Sequence, residues 1–351
     1  MFAKKIVAGA ALLALAAAAQ AQVKVYGMLD MSVGSFRDFS YDSDLDILSK
    51  GESTTAVQSG AMQTSFIGFA GSEDLGGGLK AEFVLESFIG GDTGSNITNL
   101  ASSAGFWSRG SYVALSGAFG KVALGQYDNP MFVLGLAYNP FGTSMTFSPT
   151  MVSYYSLAGF ALPSLGYDTG WVNSVTYESP VFSGFQLTAQ FAPKENSADG
   201  DDVKNHFALG ASYNAGPLSL MAAYTNSGAS GQGYFARQKN FGLGASYDFG
   251  VAKLQGQYSI VKDTTGGADD KAKFFQIGAS VPVSAAGVVL VSYGQTKYES
   301  GDASEGKLKQ FSLGYDHTLS KRTDAYIALT NKKITDLGSV NTFAVGLRHN
   351  F

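Results

Sequence analysis

Apolar and polar residues alternate with a period of two along almost the whole chain, the pattern of strands with one apolar and one wet face. In the first such stretch Val23, Val25, Leu29, Met31 and Val33 fall on one face, with Lys24, Tyr26, Asp30 and Ser32 on the other. Around residue 80, Leu79, Ala81, Phe83 and Leu85 alternate with Lys80, Glu82 and Glu86. The pattern predicts sixteen strands, at 23–34, 63–71, 79–89, 107–116, 120–128, 172–179, 184–193, 204–214, 217–226, 238–248, 251–262, 272–282, 287–298, 307–318, 323–333 and 340–351. Most are near the length of about 9–11 residues that a tilted strand needs to cross a bilayer. Charges on one face of nearly every strand do not suit the core of a soluble sandwich. They suit a water-filled interior with the apolar face turned to lipid, so the expected fold is an all-β, sixteen-stranded antiparallel transmembrane barrel.

The connections alternate in length. Ser116–Gly120, Asn214–Pro217, Phe249–Gly250 and Leu319–Arg322 are tight turns, and between them come polar stretches at 35–62, 90–106, 194–203, 227–237, 263–271, 299–306 and 334–339. Short turns at one rim and long loops at the other are the layout of outer-membrane barrels. Residues 129–171 break the rhythm. They lack alternation, hold Pro130, Pro140, Pro149 and Pro163, and are rich in Tyr, Phe and Met. A segment so long and so aromatic is functional rather than disordered. It is expected to fold into the barrel as an inward third loop, with a large external lid as the alternative. No proline falls inside a strand; Pro282 sits at a strand end, where a missing N–H is tolerated.

Composition agrees with this picture. Of 351 residues 44 are Gly and only 8 Pro, aromatics reach 13%, and mean hydropathy is +0.04. Met1–Lys5 is a short basic start, Ile6–Ala19 is apolar and small, and Ala19-Gln20-Ala21 supplies a small-x-small cleavage pattern. Residues 1–21 are therefore expected to be a signal peptide, cut between Ala21 and Gln22, leaving 22–351 as the barrel. Removing Lys4 and Lys5 leaves 22 basic against 28 acidic residues, a net charge of −6, with no Lys/Arg cluster to bind nucleic acid. There is no cysteine, so disulfides do not stabilise this exported chain.

Several runs spread across the chain resemble the general trimeric porins of Gram-negative bacteria, in the branch that ends in Gly-Leu-Arg-His-x-Phe. Here the ending is Gly346-Leu347-Arg348-His349-Asn350-Phe351; others are Val25–Asp30, Gly68–Ala81, Ser111–Gly120 and Asn173–Pro180. The resemblance implies a homotrimer in the outer membrane, latched by the second loop near 90–106, surrounded by outer-membrane lipid and passing small solutes and ions. It also implies that Phe351 is read by the barrel-assembly machinery. Members of the family set acidic residues on the inward loop against a ladder of wall arginines. Of that ladder only Arg109 matches. Phe66 and Gln126 stand where other arginines are expected, and Asn139-Pro140-Phe141-Gly142 resembles the loop tip without its glutamate.

A constriction with few fixed charges has a weak field. The expected pore is weakly selective, leaning to cations through Asp30, Glu82, Glu86 and Asp128. Its eyelet is expected to be aromatic, from Phe66, Tyr138, Phe141, Tyr154 and Tyr155, with Lys80, Arg109, Gln126 and Asn139 as further pore residues. The expected function is passive diffusion of small hydrophilic solutes, with a substrate-specific channel holding a saturable eyelet site as the alternative, and a secreted adhesin or soluble β-protein as a reading from another class. Catalysis has no obvious residues, because His206, His317 and His349 lie far apart in sequence without Ser/Asp partners. Gly301–Lys307 only imitates a phosphate loop, with Leu308 in place of Ser or Thr. Asp42, Asp44 and Asp46 imitate the start of a calcium loop, but Ile47 replaces its glycine and Ser53 its glutamate. No cofactor or metal is expected.

Overall fold

The computed structural model describes residues 23–42, 47–96, 105–156, 165, 169–194, 204–228, 237–263, 270–300 and 303–351. The expected cleavage site at Ala21–Gln22, the acidic pair Asp44 and Asp46, and residues 97–104 of the 90–106 loop lie outside these residues. Sixteen strands close into an antiparallel barrel: β1 (Lys24–Phe36), β5 (Phe66–Gly76), β6 (Leu79–Gly90), β8 (Gly110–Gly117), β9 (Gly120–Asp128), β10 (Gly170–Glu178), β11 (Phe185–Ala192), β12 (His206–Ala215), β13 (Leu218–Ser227), β14 (Gln238–Asp248), β15 (Lys253–Asp263), β16 (Asp270–Pro282), β17 (Gly287–Ser300), β18 (Ala303–Ser320), β19 (Thr323–Ile334) and β20 (Gly338–Asn350). Four short strands belong to the long connections: β2 (Phe39–Asp42) pairs with β3 (Ile47–Lys50), β4 (Thr54–Ser59) pairs with β1, and β7 (Ser95–Asn96) pairs with β6.

The ladder between β1 and β20, from Met28↔Asn350 to Ser35↔Phe343, removes the last free edge. Every one of the sixteen barrel strands then has a partner on both sides, which a hydrocarbon surrounding demands. Main-chain bonds from Gly27 N to Phe351 O (3.3 Å) and from Phe351 N to Gly27 O (3.2 Å) carry that seam to the final residue. Phe351 shares its face with Phe343, Val345 and Leu347, all substantially exposed, and its ring covers Gly27 so closely that a Cβ there would sit 2.6 Å from Cζ.

Strand alternation sorts the two faces as expected. Val113, Leu124, Leu209 and Ile277, each more than half exposed, belong to an apolar outer belt, while Gln238, Asn240, Ser259, Gln276, Ser292 and Ser312 lie buried on the inner side. Turns at one rim are short. Between β14 and β15, Phe249 N donates to Ala252 O at 2.9 Å, and Gly250 takes φ +80°, a left-handed angle that a side chain would strain.

Two departures from the sequence pattern matter. The second barrel strand runs from Phe66 to Gly76 rather than over 63–71, and 54–59, expected in a loop, is paired as β4. The alternation of Ala56, Val57 and Gln58 is too short to separate from loop polarity. The 129–171 segment begins with a helix, α1 (Pro130–Ala137), started by the Asn129 side chain accepting from Met131 N and by Pro130 in the first turn. A single turn, α2 (Pro149–Met151), then runs into a π-helical stretch, Val152–Ser156.

Candidate functional site

The segment following β9 packs on the polar face of β12–β18, and glycines make room for it. An added Cβ on Gly210 would lie 3.0 Å from Pro130, on Gly242 3.2 Å from Leu134 and Met131, on Gly244 2.2 Å from Tyr138, on Gly278 2.6 Å from Pro140, on Gly294 2.4 Å from Pro149, and on Gly314 3.0 Å from Phe141. Register places all six on the inner face of their strands, so a row of missing side chains forms the trough in which the segment sits. Ala208, Ala223 and Ala272, each no more than 3% exposed, line the same bed.

Polar contacts fix the docking. Tyr138 and Ser219 hydroxyls share a hydrogen bond of 3.0 Å, Tyr154 and Ser259 one of 2.5 Å, and Ser153 and Thr296 one of 2.6 Å. Thr150 N donates to Gln276 Oε1 at 3.0 Å, and Gln310 Nε2 donates to Thr146 O at 3.0 Å. Burial raises the Tyr138 and Tyr154 phenols above their ordinary pKa, so both are neutral anchors.

This corrects the aromatic eyelet. Tyr138, Phe141 and Tyr154 are only 1–2% exposed and face the barrel wall. Asn139 is also internal to the segment: its amide donates to Gly135 O (3.2 Å) and Gly142 O (2.6 Å), and its Oδ1 accepts from Phe141 N (2.8 Å). It shapes a turn rather than meeting solute. Aromatic composition marked the segment; it could not tell which rings dock and which face the water.

Of the segment's rings in that set, Tyr155, 7% exposed, borders a cavity. It lines a slot of about 40 Å³ with Phe132, Thr143, Met145 and Met151 from the segment, and with Gln63, Thr64, Phe88, Arg109 and Thr169 from elsewhere. That is room for about three waters. Of these, the sequence pointed to Arg109, through the family resemblance, and to Tyr155, through the aromatic content of 129–171, and missed the others. Phe88 alone among the wall residues carried a usable signal, as the next inward position after Glu82 and Glu86 on β6.

Arg109 is held from three sides. Its Nη1 pairs with Glu86 Oε2, its guanidinium lies 4.0 Å from the Phe66 ring centroid, and its main-chain N donates to Glu86 O at 3.2 Å. Glu86 Oε1 also accepts from Tyr26 OH at 2.6 Å. The slot's one cation is thus matched by one anion. Phe66 supports that pair as a stacking plate.

The other expected pore charges are elsewhere. Glu82 accepts from Ser116 Oγ at 2.7 Å and pairs with Lys121 at 2.8 Å, and Lys80 stands exposed opposite Asp74 beside the β5–β6 turn, so this group belongs to the short-turn rim. Gln126 falls by register on the β9 face of Val122 and Leu124, and its amide donates to Ser108 O at 2.5 Å. Asp128 is exposed at the end of β9, opposite Gly170. Asp30 is 0% exposed; its carboxylate accepts from Met62 N (2.7 Å), Gln63 N (2.6 Å) and Tyr326 OH (2.7 Å). It faces inward as expected, but chain covers it, so it offers no charge to passing ions.

The family described as Gram-negative porin matches residues 8–337. Outer membrane porin protein 32 of Delftia acidovorans is 34% identical over 350 residues, covering 98% of this chain and 93% of that protein. The solved anion-selective porin from Comamonas acidovorans superposes with a TM-score of 0.76 at 30% identity, covering 95% of this chain and 100% of that one. OmpF of Salmonella typhi, at 15% identity, TM-score 0.61 and coverage of 94% and 98%, shares the fold. A closed sixteen-stranded barrel, an apolar outer belt and a nearly full-length match together place this chain in the Gram-negative porin family, as an outer-membrane channel for passive diffusion.

Proposed function

We propose that the water path runs along the β5–β9 wall and is narrowest where Arg109, Gln63 and Thr64 face Tyr155, Met145 and Met151. The observation that carries this reading is the glycine-lined docking of 129–156 on β12–β18, which fills that side of the barrel. The segment then acts as a fixed inward loop, and permeation is limited by the slot beside it. Selectivity by charge is weak, because Arg109 and Glu86 neutralise one another and Asp30 is covered. Size and hydrogen bonding do most of the sorting, which favours small neutral hydrophilic solutes. Docked rings leave little of an aromatic binding site, so a general pore is favoured over a saturable one, and catalysis has no part in the reading.

The same proposal includes a homotrimer, lipid around the outer belt, removal of residues 1–21 at Ala21–Gln22, and recognition of Phe351 by the assembly machinery. One relative of the same fold, OmpT of Vibrio cholerae, is described in a trimer form. The decisive experiment is the reversal potential of the purified protein in a planar bilayer across a KCl gradient. A value near zero is expected. Strong chloride preference, the property named for the Comamonas porin, would overturn the weak-field reading.

A further inference from the structure

The strand that should follow β1 is interrupted on the inner side of the barrel. β4 and β5 pair with the same edge of β1, with Ser59 opposite Met31 and Phe66 opposite Met28. Two residues of β1, Leu29 and Asp30, therefore face six residues, 60–65, that leave the ladder. An ordinary bulge adds one residue; this one adds four.

Six residues displaced from a ladder bring main-chain donors that must be satisfied. Asp30 meets that need. Its O accepts from Gly60 N at 2.9 Å, its N donates to Ser65 Oγ at 2.9 Å, and its carboxylate takes Met62 N, Gln63 N and the Tyr326 hydroxyl. An ionised carboxylate accepts without donating, and its bonds to N–H are stronger than neutral ones. The excursion is also tied to the docked segment: Ser144 Oγ donates to Ala61 O at 2.7 Å, and Ala61 and Met62 are buried in a cluster with Phe141 and Phe147. Gln63 and Thr64, which follow, are half-buried and line the slot.

We propose that residues 60–65 are a second constriction element, that Gln63 and Thr64 determine which solutes pass, and that Asp30 is the residue positioning them. The inference rests on the reading that water passes through the slot. It assigns to the wall a discriminating surface of one amide and one hydroxyl, suited to small polar solutes that exchange hydration for those groups.

The absence of native cysteine makes the test clean. Gln63→Cys and Thr64→Cys channels, reconstituted in planar bilayers, are exposed to a cationic and to an anionic methanethiosulfonate reagent. Both reagents are expected to lower single-channel conductance, and to shift the KCl reversal potential in opposite directions. Failure of either thiol to react in a conducting channel, or complete modification seen by mass spectrometry with no change in current, overturns the proposal. Normal conduction before modification leaves the diffusion-channel reading intact in either case. Asp30→Asn, which replaces an acceptor oxygen with a donor, is expected to raise conductance in barrels that retain heat-modifiable migration. Unchanged conductance in such barrels removes Asp30 from the proposal; should the variant not fold, the thiol result decides.

Discussion

The two halves of the inner wall are built on opposite plans. Along β12–β18 the inward positions include Gly210, Gly242, Gly244, Gly278, Gly294 and Gly314, and the 129–156 segment packs on them. Along β5–β9 they include Phe66, Glu82, Glu86 and Tyr112, all partly accessible. On the proposed water path, one half works by shape and is dry, while the other carries charge and is wetted. Yet the charges of the wetted half are already paired, Glu86 with Arg109 and Glu82 with Lys121. A polar residue on an inward face is therefore not automatically a residue that a permeant meets.

The largest effect should come from filling the dry half. In the double variant Gly244→Val, Gly294→Val, Cβ atoms would press on Tyr138 and Pro149. Overpacking costs roughly 1–3 kcal/mol per site and lifts the segment from its bed, so single-channel conductance should rise roughly twofold. On the wetted half, Arg109→Ala leaves Glu86 without its cation. A unit charge about 8 Å from an ion in water-like surroundings is worth about 0.5 kcal/mol, so the cation-to-anion permeability ratio should rise roughly twofold. Reversal potentials in a KCl gradient read this directly.

Smaller effects sharpen the same contrast. Tyr154→Phe removes the hydrogen bond to Ser259 and should lower the heat-modification temperature slightly, for a loss of about 1 kcal/mol, with conductance unchanged. Glu82→Gln breaks a pair near the short-turn rim that is about one-quarter exposed, worth about 0–1 kcal/mol. Neither stability nor reversal potential should move measurably.

Much of the barrel was legible because a two-residue period survives wherever one face meets lipid. The later strands, from β11 onward, lie close to their expected bounds for that reason. The site was less legible, and the failures share a cause. Glycine is neutral in an apolar/polar pattern, so Gly244 and Gly294 gave no sign of the trough they form. Parity turned Asp30 inward correctly but could not reveal that 60–65 would cover it, because the cover comes from a break in the neighbouring strand. Gln63 and Thr64 were expected to open the second strand, and nothing in the alternation marked them as residues that leave the ladder. Arg109 was found through the family resemblance, and its partner Glu86 through alternation; their pairing needed three dimensions.

The claim on which the account depends is that water follows β5–β9 and avoids β12–β18. Single cysteines at Ala70, inward on β5 and partly accessible, and at Ala272, inward on β16 and 3% exposed, compare the two walls in one assay. With a small water-soluble thiol reagent added to conducting channels, Ala70→Cys should react and lose current while Ala272→Cys stays unmodified. Rapid modification and block at Ala272→Cys, with Ala70→Cys silent, would place the path on the wrong wall and contradict the account.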